Sequence, residues 1–348
     1  MDGILNLAKP AGPTSHDMVA LVRRLAATRR VGHGGTLDPF ARGVLPLFLG
    51  RATRLVEYHL GDGKAYRATV CFGASSTTDD LEGELTPADR VPDRAAVEGA
   101  LDEFRGPIVQ TPPAYSAIRV AGRRAYALAR AGLKSELSPR SVTITRLEML
   151  DWDESDPERP IAIVEVSCSA GTYIRALARD LGATVSSAAY LGALVRTASG
   201  PFRLEEARML DEVRAAAGTE RLDDLLLPVD TGLEAMPAIR LDADELAAVT
   251  RGQFVRPRAT APRTAAELHT QTDARVRLVD RDGHLVAIAQ WRGERLAPEK
   301  VLIDVIPADE VEARRGEAAG RAAVDALAAA DRDPSPDADP DPVTVDDA

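Results

Sequence analysis

The 348-residue sequence has two cysteines, Cys71 and Cys168, and neither belongs to a CxxC pair. Both sit in apolar, strand-like runs. Buried structural thiols fit that setting, whereas a disulfide framework or a thiolate metal site does not. Aromatic residues make up 4% of the chain. No run of about 18 apolar residues occurs, so no membrane-spanning helix is expected. The opening Met1-Asp2-Gly3-Ile4 has no basic stretch ahead of an apolar one. No signal peptide is therefore expected, and the chain reads as cytoplasmic. The histidines, His16, His33, His59, His269 and His284, are scattered. No metal-ligand cluster, phosphate-cradling Gly-Lys-Ser/Thr motif or Ser-His-Asp pattern stands out. The expected chemistry uses no cofactor and no metal, and is led by a carboxylate.

Positive charge is also short. The chain has 43 Lys and Arg against 54 Asp and Glu, for a formal net charge of −11. Taken as a total, this argues against a nucleic-acid partner, but position matters more than the sum. Residues 309–348 hold twelve acidic and four basic residues, leaving −3 for residues 1–308. Arg119, Arg123, Arg124, Arg130, Lys134 and Arg140 fall within 22 residues that contain one acid, Glu136. A basic lobe on a near-neutral body suits RNA; on charge alone, a solvated basic helix fits equally well. The 45% hydrophobic content, over this length, supports one large domain and a smaller one.

What the sequence does have is a glycine-rich stretch running from Gly32 to Pro46 around a single acid, Asp38. Gly34 and Gly35 let the backbone bend sharply and approach a ligand. Pro39 pushes Asp38 out of helical geometry. Val44 to Leu49 is an apolar run long enough for a buried strand or a short buried helix. A carboxylate on a rigid turn suits catalysis, and Asp-Pro after glycines is also an ordinary turn.

The whole pattern, Gly-His-Gly-Gly-Thr-Leu-Asp-Pro-x-Ala-x-Gly-Val-Leu-Pro, closely resembles the catalytic motif of the TruB family, bacterial synthases that make pseudouridine at position 55 of tRNA. The resemblance implies that Asp38 is the catalytic aspartate and that His33 lies against the RNA. The N-terminal wording, Gly-Ile-Leu-x-Leu-x-Lys-Pro-x-Gly-x-Thr-Ser, looks like another family motif and would put Lys9 and Pro10 beside the site, with Lys9 among the substrate-binding residues. Tyr66 matches the family tyrosine that stacks on the target base; by strand pattern alone it is a core aromatic. Gln110 to Ala117 matches a further segment. The basic lobe after it resembles the family's RNA-clamping insertion, with Arg119, Arg123, Arg124 and Arg130 as phosphate contacts. Arg119 stands where the family commonly has lysine, which keeps the charge and changes the donor geometry. Ser169-Ala170-Gly171-Thr172-Tyr173-Ile174-Arg175 resembles the second active-site motif. It implies that Arg175 pairs with the catalytic aspartate and that Tyr173 lines the pocket. Leu191 to Thr197 resembles the next motif, with Leu194 on the same pocket, although its details depart from the commoner wording. The resemblance spans roughly residues 3–306.

Local signals predict the elements. Ile4, Leu5 and Leu7 suggest an opening strand. Thr14 and Asp17 form a capping-box-like start to a helix over 15–27. Arg51 to Leu60 reads as a helix, Lys64 to Gly73 as a strand, and Ser75 to Asp80 as a polar loop. A helix is expected around Arg94–Phe104, and two prolines after Thr111 force an extended path. Val142 to Leu150 and Ile161 to Cys168 are strands. The helix opened by Gly171–Arg175 carries an apolar stripe, and Gly182 can cap its end. Residues 241–251 suggest a short helix. Val276–Val279 and Leu285–Trp291 flank Asp282-Gly283, a hairpin signal. A strand is expected over Val301 to Ile306.

The expected fold is α/β (α+β). Residues 1–236 would form a pseudouridine synthase catalytic domain on a mixed, largely antiparallel sheet, with the basic insertion at 119–140. Residues 237–307 would form a small PUA-like RNA-binding domain. Residues 308–348 would be an acidic, largely disordered tail. The implied function is isomerisation of uridine 55 in the T-arm of tRNA, by a monomer and after base flipping. Stacking suits Tyr66, and Arg175 would favour ionised Asp38. Asp38 either attacks the sugar or removes a ribose proton. The alternatives are a tRNA-binding or tRNA-folding protein without turnover, and a different aspartate-dependent enzyme such as a glycosylase.

Overall fold

Ten strands among the described residues of the first 235 assemble into one mixed sheet, and two short strand pairs stand apart from it. The computed structural model describes residues 1–116, 119–120, 123–124, 137–257 and 274–305. Along the sheet the order is Arg208–Met209, Gly3–Lys9, Arg42–Leu49, Ala189–Ser199, Lys64–Phe72, Ile161–Cys168, Arg140–Asp153 and Gly106–Gln110. Two of these contacts are parallel: Gly3–Lys9 with Arg208–Met209, and Arg42–Leu49 with Ala189–Ser199. The others are antiparallel, so the sheet is mixed and largely antiparallel, as the sequence predicts.

Ile161–Cys168 alternates buried and half-buried residues, the period of a pleated strand. Gly3–Lys9 is buried at every position, because helices and neighbouring strands cover both of its faces. The helix Ser15–Leu25 has the Thr14–Asp17 capping box and lays Met18, Val19 and Val22 on Leu5, Leu7, Leu45 and Leu47. The helix Ile174–Thr184 packs Ile174, Leu177, Ala178 and Leu181 into the cluster that contains Val70, Phe72 and Val164. Each such buried aliphatic side chain contributes about 1.5–3 kcal/mol.

Two glycines are fixed by close approach. Gly43 has φ +108°, and a Cβ there would lie 2.2 Å from the carbonyl oxygen of Arg196. Gly182 does not end its helix, which continues to Thr184. A Cβ on Gly182 would lie 2.3 Å from the backbone nitrogen of Ala189, so the glycine lets the helix sit on the next strand.

Three further local expectations are corrected. Arg51 to Leu60 is a 3-10 turn, Gly50–Leu55, followed by one helical turn, Val56–His59. The tighter period points both Ala52 and Leu55 into the core. The stretch from Ser75 is not wholly loop: Ala74–Ser76 pairs with Leu85–Pro87. The last described strand is Arg295–Val301, not Val301 to Ile306. It follows Leu285–Arg292 through the tight turn at Gly293, φ +62°, which sets Arg292 opposite Arg295.

The second unit begins at Met236. Its sheet order is Ala238–Arg240, Arg275–Val279, Leu285–Arg292, Arg295–Val301, with the helix Ala243–Thr250 beside it. Val276, Leu278, Val286, Ala289 and Trp291 fill its core. Its hairpin turn is closed by the Asp280 carboxylate, which accepts from the backbone N–H groups of Asp282 and His284 at 2.9 Å. The expected acidic tail, 308–348, lies outside the described residues.

Candidate active site

The Asp38 turn is held carbonyl by carbonyl. Arg196 donates to the oxygens of Gly35 at 3.1 Å, Thr36 at 3.3 Å and Val44 at 2.7 Å. The Ser15 hydroxyl donates to the Leu37 oxygen and accepts from the Leu37 N–H. Lys9 Nζ donates to the oxygens of Pro39 at 3.1 Å, Ala41 at 2.6 Å and Pro10 at 3.0 Å. The Pro39 oxygen also accepts from the N–H of Gly12, and the Asp38 oxygen from that of Ala41. A loop with its polar backbone atoms satisfied from three directions is a rigid platform.

The platform presents Asp38 to Arg175. Arg175 Nε lies 3.0 Å from Asp38 Oδ2, and Nη2 donates to Oδ1 at 3.3 Å. The same guanidinium reaches Asp80 Oδ2 at 3.2 Å and donates to the carbonyls of Thr78 and Tyr115. Arg175 is 6% exposed, so this is a buried cation fully engaged with two acids and two carbonyls. One turn further on, Arg179 binds Asp79 at 2.8 Å and the Thr111 carbonyl. Arg175 and Arg179 thus tie the 77–80 and 111–116 segments to one helix.

Burial and the Asp80 charge push the Asp38 carboxyl above the usual carboxylate range, against the pull of Arg175 and Lys9. Arg175 favours the ionised form as the sequence predicts, but burial outweighs it. Lys9 is 1% exposed, and burial lowers its pKa to about 8.

A cleft of about 650 Å³ opens beside Asp38. Tyr66, Tyr173, Leu194, Arg175, Asp80 and Arg196 line it. Tyr66 is buried on Lys64–Phe72, directly across from Arg196, whose positive charge favours its ionised form. Leu194 pairs with Ala68 in the same two strands. Tyr173 is held by the Gln110 side-chain amide, which bonds both its N–H and its C=O. The Arg140 guanidinium lies 5.6 Å from the centre of its ring. His33 accepts from the Gly35 N–H through Nδ1, and its ring meets His16 edge-on at 5.4 Å. Burial and the neighbouring His16 and Arg196 keep His33 below its ordinary pKa.

The structure brings Asp38, Tyr66, Arg175, Tyr173 and Leu194 together, with His33 two residues outside the turn. Lys9 is beside the turn but points into it. Arg119 and Arg123–Arg124 belong to a short paired backbone segment, and Arg130 lies outside the described residues. Asp80 and Arg196 were missed by sequence reading. Asp80 sat in a stretch read as loop. Arg196 carried a usable signal, because it stands two residues after Leu194 on a strand and so shares its face.

Residues 23–174 match the TruB family pseudouridylate synthase N-terminal domain, and residues 175–234 match the tRNA pseudouridylate synthase B C-terminal domain. The tRNA pseudouridine synthase B of Symbiobacterium thermophilum is 47% identical over 254 residues, 72% of this chain and 82% of that protein. That of Bradyrhizobium diazoefficiens is 40% identical over 305 residues, 86% of this chain and 85% of its own. Among solved structures, a Cbf5-Nop10-Gar1 complex aligns at a TM-score of 0.64 and 26% identity, covering 87% of this chain and 85% of that one. An H/ACA RNP bound to a substrate RNA containing 2'-deoxyuridine aligns at 0.63 and 25% identity, covering 88% and 86%. The chain belongs to the TruB family of pseudouridylate synthases, which are isomerases.

Proposed function

We propose that this protein isomerises uridine 55 in the T-arm of cytoplasmic tRNA to pseudouridine, as a monomer, with Asp38 as the catalytic carboxylate. The observation that carries this is Asp38 itself, a single carboxylate on a clamped turn, paired with buried Arg175 at the mouth of a nucleotide-sized cleft. The relatives' names support tRNA as the substrate, and position 55 rests on the motif resemblance. The target uridine leaves the stack and enters the cleft. Its base packs on Tyr66 and against Leu194 and Tyr173, a contact worth about 1–3 kcal/mol per stacked base. Asp38, ionised beside Arg175, attacks C1′ or removes a ribose proton. The N1–C1′ bond breaks with its electron pair on N1, the base turns, C5 bonds to C1′ as Asp38 leaves C1′ or the ribose regains its proton, the C5 proton is lost, and N1 takes up a proton. Lys9 acts on the turn rather than on RNA. His33 meets the RNA outside the cleft. Arg119, Arg123, Arg124 and Arg130 contact phosphates, and the second unit serves as a PUA-like RNA-binding domain.

The test is tritium release from tRNA transcripts carrying carbon-5-labelled uridine. Wild-type protein should release label, and a transcript with cytidine at position 55 should lose that release. Asp38→Asn should abolish release while keeping tRNA affinity within about tenfold, because phosphate contacts dominate affinity. Binding without release by the wild type would favour a tRNA-folding protein instead. Charge reversal at Arg123, Arg124 and Arg130 should weaken binding and flatten its salt dependence; an unchanged slope would make the lobe a solvated face.

A further inference from the structure

Arg196 is the least explained charge in the molecule. It is 1% exposed, it lines the cleft, its hydrogen-bond partners are three backbone carbonyls, and it stands directly across from Tyr66. Among the described residues no carboxylate pairs with it. Burying a guanidinium without a counter-ion costs several kcal/mol even when its N–H groups are hydrogen-bonded. The surroundings add to this cost. Lys9, Lys64 and His33 all feel Arg196 as a like charge that disfavours their own protonation. Holding a turn needs only N–H donors, which a neutral amide also supplies. A permanent positive charge is a different requirement, and it points to negative charge that arrives with the substrate.

The placement of that charge is fixed by strand register. Ala189–Ser199 lies between Arg42–Leu49 and Lys64–Phe72, with Arg196 opposite Gly43 on one side and Tyr66 on the other. The residue that clamps the Asp38 turn is therefore also the cross-strand neighbour of the tyrosine. Standing across from Tyr66, the Arg196 charge favours release of the phenolic proton and so polarises the Tyr66 O–H.

We propose that Arg196 is a positioning residue which, through the Tyr66 hydroxyl, stabilises the negative charge that forms on the uracil when its glycosidic bond breaks. This inference rests on the pseudouridine reading above. When the N1–C1′ bond breaks, the electron pair stays on N1. The detached base is a uracil anion until its electron pair forms the C5–C1′ bond; C5 then loses its proton and N1 takes one up. A preorganised donor backed by a buried cation lowers the energy of that anion and does nothing comparable for the neutral bound uridine.

The experiment varies the leaving group. Single-turnover conversion is measured for tRNA carrying uridine at position 55 and for tRNA carrying 5-fluorouridine there, whose base is the more stable anion. Conversion is read as loss of the starting nucleoside from nuclease digests. Arg196→Gln keeps N–H donors and removes the charge. It should slow uridine by about 100-fold, the loss typical of a removed anion-stabilising donor, and slow 5-fluorouridine by much less. Equal slowing of both would make Arg196 a clamp only and overturn the proposal. Arg196→Lys and Tyr66→Phe carry the same test if Arg196→Gln fails to fold. Tyr66→Phe should show the same unequal slowing, and Arg196→Lys should cost less in a Tyr66→Phe background than alone. Additive costs, or equal slowing by Tyr66→Phe, would likewise overturn it. Wild-type protein that converts neither substrate defeats the pseudouridine reading; wild-type conversion with equal slowing defeats this inference alone.

Discussion

The two walls of the cleft are each held by a buried arginine, and the two arginines are satisfied in opposite ways. Arg175 faces two carboxylates, Asp38 and Asp80, so its charge is more than balanced. Arg196 faces neutral oxygens, so its charge is not balanced at all. Hydrogen bonding satisfies both groups geometrically. The electrostatic remainder differs in sign, and it is this remainder that gives the acidic wall a proton-sensitive carboxylate and the basic wall an unspent positive field.

Breaking the acidic wall should have the largest effect. Arg175→Met leaves Asp38 poorly oriented and Asp80 buried without its cation. Turnover should fall by about 100-fold or more. The residual activity should have its acid limb at higher pH, since Arg175 is the strongest influence favouring ionised Asp38 and protonated Asp38 is inactive. Asp80→Asn should cost less and shift that limb the other way, to lower pH, because Asp80 raises the Asp38 pKa. The pH dependence of single-turnover rates checks both, and shifts in the same direction would break the comparison.

The smallest effect is on stability. Lys9→Met removes the donor to the Pro39 and Ala41 carbonyls and should cost about 1–3 kcal/mol in denaturant titrations. The folded-state pKa of Lys9, about 8, lies below its ordinary value of 10.5, so the native state binds fewer protons in that window. Wild-type stability should therefore rise with pH between those values, and Lys9→Met should flatten the rise.

Much of this was legible in the sequence. The capping box at Thr14 and the alternation of Ile161–Cys168 are local signals, and they produced the right elements. The Asp-Pro turn and the Tyr173–Arg175 segment were legible as motifs. Asp80 was not, because its role depends on Arg175, 95 residues later, meeting it in a buried site. Arg196 lay inside a quoted motif, yet its importance comes from what it lacks, and a missing counter-ion has no local signature. The break of Arg51–Leu60 into a 3-10 turn reflects core packing of Ala52 and Leu55, which overrode helical propensity.

The position of Ala189–Ser199 between two much earlier strands has a consequence for how the chain acquires activity. Arg42–Leu49 and Lys64–Phe72 have no completed shared neighbour until a segment more than a hundred residues downstream slots between them. Loop closure of that length comes late and slowly in folding. The same segment delivers Leu194 and Arg196, so the cleft cannot exist before the sheet is whole. During synthesis, a nascent chain that already displays Asp38 and Tyr66 has no place to put a uridine, and catalytic competence arrives in one step with the closing of the fold.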